Sequence, residues 1–275
     1  MSVLSESLRA GSGDHRSLGS RAEWLGAGAF AMAQAELRKL RHDYLDIFTR
    51  MVQPLLWLFV FGTALRGVRK LGVPGIDYRA FLTPGVLAQS ALFVAIFFGL
   101  AIIWERDAGQ LQRLLATPLP RLSIVLGKVS GAAVRAIAQA VVLLAVVGIA
   151  GIKLDWVAWR LVAAIALLVL GTGAFACLSM LLASLLKTRE RFMGIGQMVT
   201  MPLFFASSAL YPLSIMPIWL RVIARANPLT YEVQGLRTLM LGLGGTALWL
   251  DFAVCAGFFV ALAVLAARAY PRAIV

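Results

Sequence analysis

Thirteen carboxylates, two histidines and two cysteines are all that this chain of 275 residues offers for acid–base, metal or redox chemistry. The histidines, His15 and His42, precede the first long apolar run and form no metal-ligand spacing. Cys177 and Cys255 fall inside apolar runs, where cysteine behaves as a small hydrophobe, so neither a disulfide nor a metal site is expected. A loop for gripping nucleotide phosphates is also missing. The nearest approach, Gly62-Thr63-Ala64-Leu65-Arg66-Gly67, continues with Val68 where the phosphate-binding lysine is required. The first residues, Met1 to Arg21, are rich in Ser, Gly and Arg and lack the apolar stretch of a signal peptide, so 1–28 reads as a disordered tail.

What is present is apolar surface. The chain is 60% hydrophobic and only 14% charged, with a mean hydropathy of +0.84. Soluble domains run near half apolar and a quarter charged, so this composition belongs in a bilayer. The net charge of +13 would suggest nucleic acid in a soluble protein. Here the basic residues gather at the ends of apolar runs, where they act as topology signals and headgroup contacts, and no nucleic-acid partner is expected.

Segment 29–45 places Phe30, Ala33, Leu37, Leu40 and Tyr44 on one helical face and Gln34, Arg38, Lys39, Arg41 and His42 on the other, the pattern of an amphipathic helix lying on a membrane surface. Six runs of spanning length follow: Ile47 to Leu65, Phe81 to Ile103, Ile124 to Ile152, Leu161 to Leu186, Phe192 to Leu210, and Leu248 to Arg268. With the amino terminus inside, seventeen of the twenty-six lysines and arginines lie on the inner side. That excess puts both termini in the cytosol. The apolar cores of the spans are read as free of Asp, Glu, Lys, Arg and His, which speaks against a proton- or sodium-driven carrier and against an intramembrane hydrolase. The segment 104–118 is a charged insert between two spans, closed by Pro118 and Pro120 and on the cytosolic side by the same count. Leu111, Leu114 and Leu115 form an apolar knob flanked by charge, suited to a groove on a soluble partner. After the fifth span, prolines 212, 217 and 228 break the helix, so 211–231 reads as a re-entrant cap on the outer side.

Three of these stretches resemble a known family, the permease subunits of type-2 ABC exporters, closest to the branch of drug-resistance and nodulation-factor export permeases. Glu105-Arg106-Asp107-Ala108-Gly109-Gln110-Leu111, continued by Leu114-Leu115-Ala116-Thr117-Pro118, resembles the family's coupling-helix motif. Phe81-Leu82-Thr83-Pro84-Gly85 resembles the motif opening its second span. Tyr211-Pro212-Leu213-Ser214 and Asn227-Pro228-Leu229-Thr230-Tyr231 resemble its outer cap. Asp107 and Gln110 depart from the commoner Glu and Thr while keeping carboxylate and polarity.

The resemblance implies an all-α integral membrane fold, six transmembrane helices preceded by an amphipathic interfacial helix. It implies a permease in the bacterial inner membrane, packed against a second copy, identical or homologous, with two copies of an ATP-binding subunit. ATP and Mg would sit on that partner; this chain would hold no cofactor or metal and have no catalytic residue. The export substrate would be a drug, a lipid or a lipid-linked glycan. Glu105, Arg106, Asp107, Gly109, Leu111, Leu114, Leu115, Thr117 and Pro118 would couple to the ATPase, with Glu105 and Arg106 as polar anchors. Phe93, Phe97, Phe98, Phe204 and Phe205 are candidate walls of an apolar pathway among membrane lipids, and Tyr211, Pro212, Asn227, Pro228 and Tyr231 a candidate outer gate. A lipid-modifying membrane enzyme and a non-transporting anchor for a soluble partner are the alternative readings.

Overall fold

The computed structural model describes residues 34, 44–65, 75–109, 121–186, 188–243 and 246–269. Most of the amphipathic segment 29–45 and the insert residues 110–120 lie outside them. Among the described residues there is no strand, and the helices form one bundle.

The first helix, α1 (Tyr44–Leu56), carries Pro54, which cannot donate to the preceding turn. The ladder adjusts through a π-helical turn (Trp57–Phe61) and resumes as α2 (Gly62–Ala64). Then come α3 (Tyr78–Asp107), α4 (Arg121–Ile149), α5 (Ala158–Leu185) and α6 (Arg189–Phe205). Two short helices, α7 (Ile218–Ala226) and α8 (Pro228–Leu241), separate α6 from α9 (Leu248–Ala269). By length and composition α3, α4, α5 and α9 are each able to cross a membrane. The first predicted span is matched by the continuous helical run 44–64 formed by α1, the π-turn and α2, and the fifth by the shorter α6, which ends at Phe205 rather than Leu210.

Specific contacts give the helices their direction. Gly62 meets Arg79, so the end of α2 touches the start of α3. The amide of Gly99 donates to Ser179 Oγ at 2.9 Å, which sets α3 and α5 parallel, and Ser179 donates in turn to the carbonyl of Ile96. Gly173 of α5 meets Val129 near the start of α4, so that pair is antiparallel. The bundle therefore has two ends. One carries α7 and α8 and is called the cap end; at the other, the carboxyl ends of α3 and α5 meet the amino ends of α4 and α6.

Gly85, in the Phe81 to Gly85 motif, explains itself here. A methyl group at that position would collide with the backbone carbonyl of Ala209, so glycine lets α3 press against the chain leaving α6.

The α8 helix lay inside what the sequence reading treated as cap and outer loop. It packs against α3, α5 and α9, and Leu229, Val233, Leu236, Leu239 and Met240 join the core. Its boundaries have local causes. Asn227 Oδ1 accepts from the amide of Leu229 at 3.0 Å, Pro228 opens the first turn, and Gly242 closes it in the left-handed region at φ 69°.

Candidate functional site

At the end opposite the cap, Trp104 to Asp107 are the last turn of α3 rather than the start of a separate helix. The break falls at Gly109, whose φ of +69° suits glycine. Glu105, expected as an anchor for a partner, is turned into the bundle. Its carboxylate pairs with Lys128 of α4, whose side chain is only 2% exposed. Arg106 Nη1 donates to the carbonyl of Leu186 at 3.2 Å, which reaches the end of α5. Asp107 accepts from Arg189 of α6, with Nη2 to Oδ2 at 2.9 Å, and that guanidinium also lies 5.7 Å from the ring centre of Trp104. The one turn 104–107 is thus tied to α4, α5 and α6 at once. Leu111, Leu114, Leu115, Thr117 and Pro118 lie outside the described residues.

Of the five phenylalanines proposed as pathway walls, the structure brings Phe93 and Phe97 together, with ring centres 6.2 Å apart. Both line a cleft of about 110 Å³ between α1, α3 and α4, with Arg50, Gln53, Gln89 and Gln139. Arg50 sits 6.0 Å from the centre of the Phe97 ring. Gln89 Oε1 and Gln139 Oε1 are buried without a hydrogen-bond partner among the described residues. This cleft is amphipathic, with aromatic rings beside amides and a guanidinium. Phe98 is buried 5.6 Å from Arg135. Phe204 and Phe205 pack on Trp57, one turn farther along the first helix.

The proposed gate residues Tyr211, Asn227 and Tyr231 are tied to carbonyls at the ends of α6 and α7. Tyr211 donates to the carbonyl of Phe205 at 2.8 Å, and Tyr231 to that of Arg225 at 2.9 Å. Asn227 Nδ2 donates to the carbonyls of Leu203 and Ala206, at 2.6 and 3.2 Å, which pins the start of α8 to the end of α6. Pro212 lines a second cavity, of about 570 Å³, beneath this cap.

The sequence reading also missed three ionisable side chains in the bundle. Glu232 of α8 is 1% exposed, beside Gly171 of α5, and neither of its oxygens has a hydrogen-bond partner among the described residues. Such burial disfavours the charged form of the Glu232 carboxyl. Asp251, in the first turn of α9, is fully buried and lies 2.5 Å from Thr246 Oγ1, which is itself 3.1 Å from Gln234 Oε1. Arg237 donates to the carbonyl of Ser208 at 2.9 Å and stacks 3.8 Å over the Phe81 ring. Hydropathy could not have found Glu232 and Arg237, because α8 reads as a polar loop, whereas Asp251 stood in view in the first turn of the sixth predicted span. Asn227-Pro228 ahead of an apolar periodicity, with Gly242 behind it, was the available signal.

A helical bundle with four apolar helices of membrane length, a braced turn at one end and a folded cap at the other is that of a multi-pass membrane protein. The chain belongs to the ABC-2 type transporter family, whose model matches residues 28–241. It is 32% identical over 215 residues to the transport permease ycf38 of Cyanophora paradoxa, covering 76% of this chain and 73% of that protein. It is likewise 32% identical over 200 residues to nodulation protein J of Rhizobium leguminosarum bv. trifolii, covering 72% and 74%. Nodulation protein J of Neorhizobium galegae is 28% identical over 81% of this chain and 86% of its own.

Proposed function

We infer that this permease is the membrane half of an ATP-driven exporter, working with a separate ATP-binding subunit to move an amphipathic molecule from the cytosol or inner leaflet. The observation that carries the reading is the braced turn. Trp104 to Asp107 is fastened to α4 by Glu105–Lys128, to α5 by Arg106 and to α6 by Asp107–Arg189. A push on the adjoining segment 110–118 from a soluble partner would move four helices together rather than bend one loop. The cleft with Phe93, Phe97, Gln89, Gln139 and Arg50 suits the junction between the apolar and hydrogen-bonding parts of such a molecule. Its mix of aromatic rings, amides and a guanidinium favours a lipid or glycolipid over a compact, wholly apolar drug.

The test is a pull-down of the detergent-solubilised chain with its native partners, followed by an ATPase assay. Recovery of an ATP-binding subunit is expected, with hydrolysis reduced about tenfold by Asp107→Arg and restored by adding Arg189→Asp. Asp107 and Arg189 are both exposed, so the reversal changes stability by at most about 1 kcal/mol and the activity loss reports coupling. Recovery of the chain without nucleotide hydrolysis in any fraction would move the weight to an anchor or enzyme.

A further inference from the structure

Among the described residues, the cavity beneath the cap is lined by two arginines, Arg225 and Arg237, and by no carboxylate, the Asp251 carboxyl standing behind the Thr246 hydroxyl. Hydroxyl and amide groups from Ser214, Thr230, Gln234 and Thr246 share the wall with Phe81, Leu213 and Leu250. Neither arginine forms an ion pair among the described residues. Arg237 is 6% exposed, its Nε has no hydrogen-bond partner among the described residues, and what it meets there is the Ser208 carbonyl, the Phe81 face and the nearby phenol of Tyr78, none of them a formal counter-charge. Taking a guanidinium out of water without a counter-charge is unfavourable, so this site is short of an anion. Arg221 provides a contrast, since its guanidinium is occupied by the carbonyls of Leu213, Ser214 and Met216, each at 3.0 Å.

The position of the cavity says where that anion comes from. The α7 helix, which contributes Arg225, exposes Ile218 (80%), Trp219 (66%), Val222 and Ile223. A short helix with such a face lies in the plane of a membrane interface, with its tryptophan at headgroup level. The mouth of the cavity therefore opens at the depth of lipid head groups. Its volume of about 570 Å³ is that of an ordinary small-molecule site, and its mixed wall matches a charged head joined to an apolar stem.

We propose that the cap cavity binds the anionic head group, a phosphate or carboxylate, of an amphiphile, with Arg237 as the buried counter-charge and Arg225 guarding the mouth. The site does not depend on ATP-driven export, and it is tested by binding alone. Two probes separate its sources. Native mass spectrometry of the purified full-length chain, titrated with phosphatidylglycerol against phosphatidylcholine, reads a resident membrane lipid. Titration with dodecyl phosphate against dodecyl phosphocholine, followed by thermal shift, reads a mobile amphiphile of the kind an exporter would release. A preference of about tenfold for the anionic member in either pair bears the site out and names its source.

Arg237→Gln risks misfolding, because Arg237 also holds Ser208. Arg225 is exposed and carries the test. Arg225→Gln is expected to lower the preference about fivefold, the value of a partly exposed charge pair, and Arg225→Glu to abolish it. Lys153→Glu, an exposed charge at the same end but outside the cavity, controls for general basic character. The proposal is overturned if neither probe pair shows a preference, if Arg225→Glu retains it, or if Lys153→Glu lowers it as much.

Discussion

Lys128 and Glu105 face each other where α3 meets α4, and both are largely withdrawn from water. Each charge has lost hydration that its partner helps to restore, so removing one strips the other of that ion pair. Lys128→Met alone is expected to destabilise the fold by about 3–5 kcal/mol, while Lys128→Met with Glu105→Gln stays within about 1–2 kcal/mol of the parent. Melting temperatures in detergent, read by size-exclusion fluorescence, check both. Equal losses in the single and double variants would show that the pair does not act as a unit. Gly85 makes a complementary case at the same scale. Gly85→Ala must push α3 away from the Ala209 carbonyl, and the resulting overpacking should cost about 1–3 kcal/mol in the same assay. Gly257→Ala meets open space and serves as the silent comparison.

At the scale of elements, the cap depends on one side chain more than its polar composition suggests. Asn227 supplies the cap of α8 and two further bonds into the end of α6. Asn227→Ala should cost at least the 1–2 kcal/mol of a good helix cap, and free the cap without unfolding the four long helices. Limited proteolysis within 212–217 is expected to speed up about tenfold, with the long helices intact; unchanged cleavage would mean that the cap is held elsewhere. The same element marks how much was legible in the sequence. The four long spans could be read directly, because uninterrupted apolar runs of that length admit few other structures. Of the motif residues, Tyr211 and Asn227 are bonded to the end of α6 and Tyr231 to the end of α7. The place of α8 inside the bundle was not legible. Glu232, Gln234 and Arg237 make it look water-loving, and only the surrounding helices reveal that Gly171 of α5 leaves room for the Glu232 carboxyl. Glu105 escaped for the same reason: a carboxylate in a charged insert reads as solvent-facing until Lys128 is seen beside it.

For the whole molecule, the arrangement of aromatic and basic side chains sets a membrane frame. Trp156, Trp159, Trp219 and Trp249 are exposed and all belong to the cap end, which is where one aromatic belt should lie. Arg237, one of the nine basic residues assigned to the outer loops, is inside the bundle, so the outer surface holds one fewer than the sequence suggests. The expected orientation, cap end outside and braced turn inside, rests instead on the excess of basic residues in the segments at the braced end. The weakest link in that frame is α6, whose 17 residues extend only about 25 Å, a little short of a hydrocarbon core of about 30 Å. Glu190 and Ser214 flank it and are both exposed, while the native Cys177 and Cys255 are buried and give no background. With a membrane-impermeant maleimide, Ser214→Cys is expected to label in intact cells, and Glu190→Cys only after the membrane is opened. Labelling of both from outside would mean that α6 and its extension through 206–210 do not cross. The reverse pattern would turn the molecule over, moving the braced turn away from any cytosolic ATPase and the anion cavity to the inner leaflet.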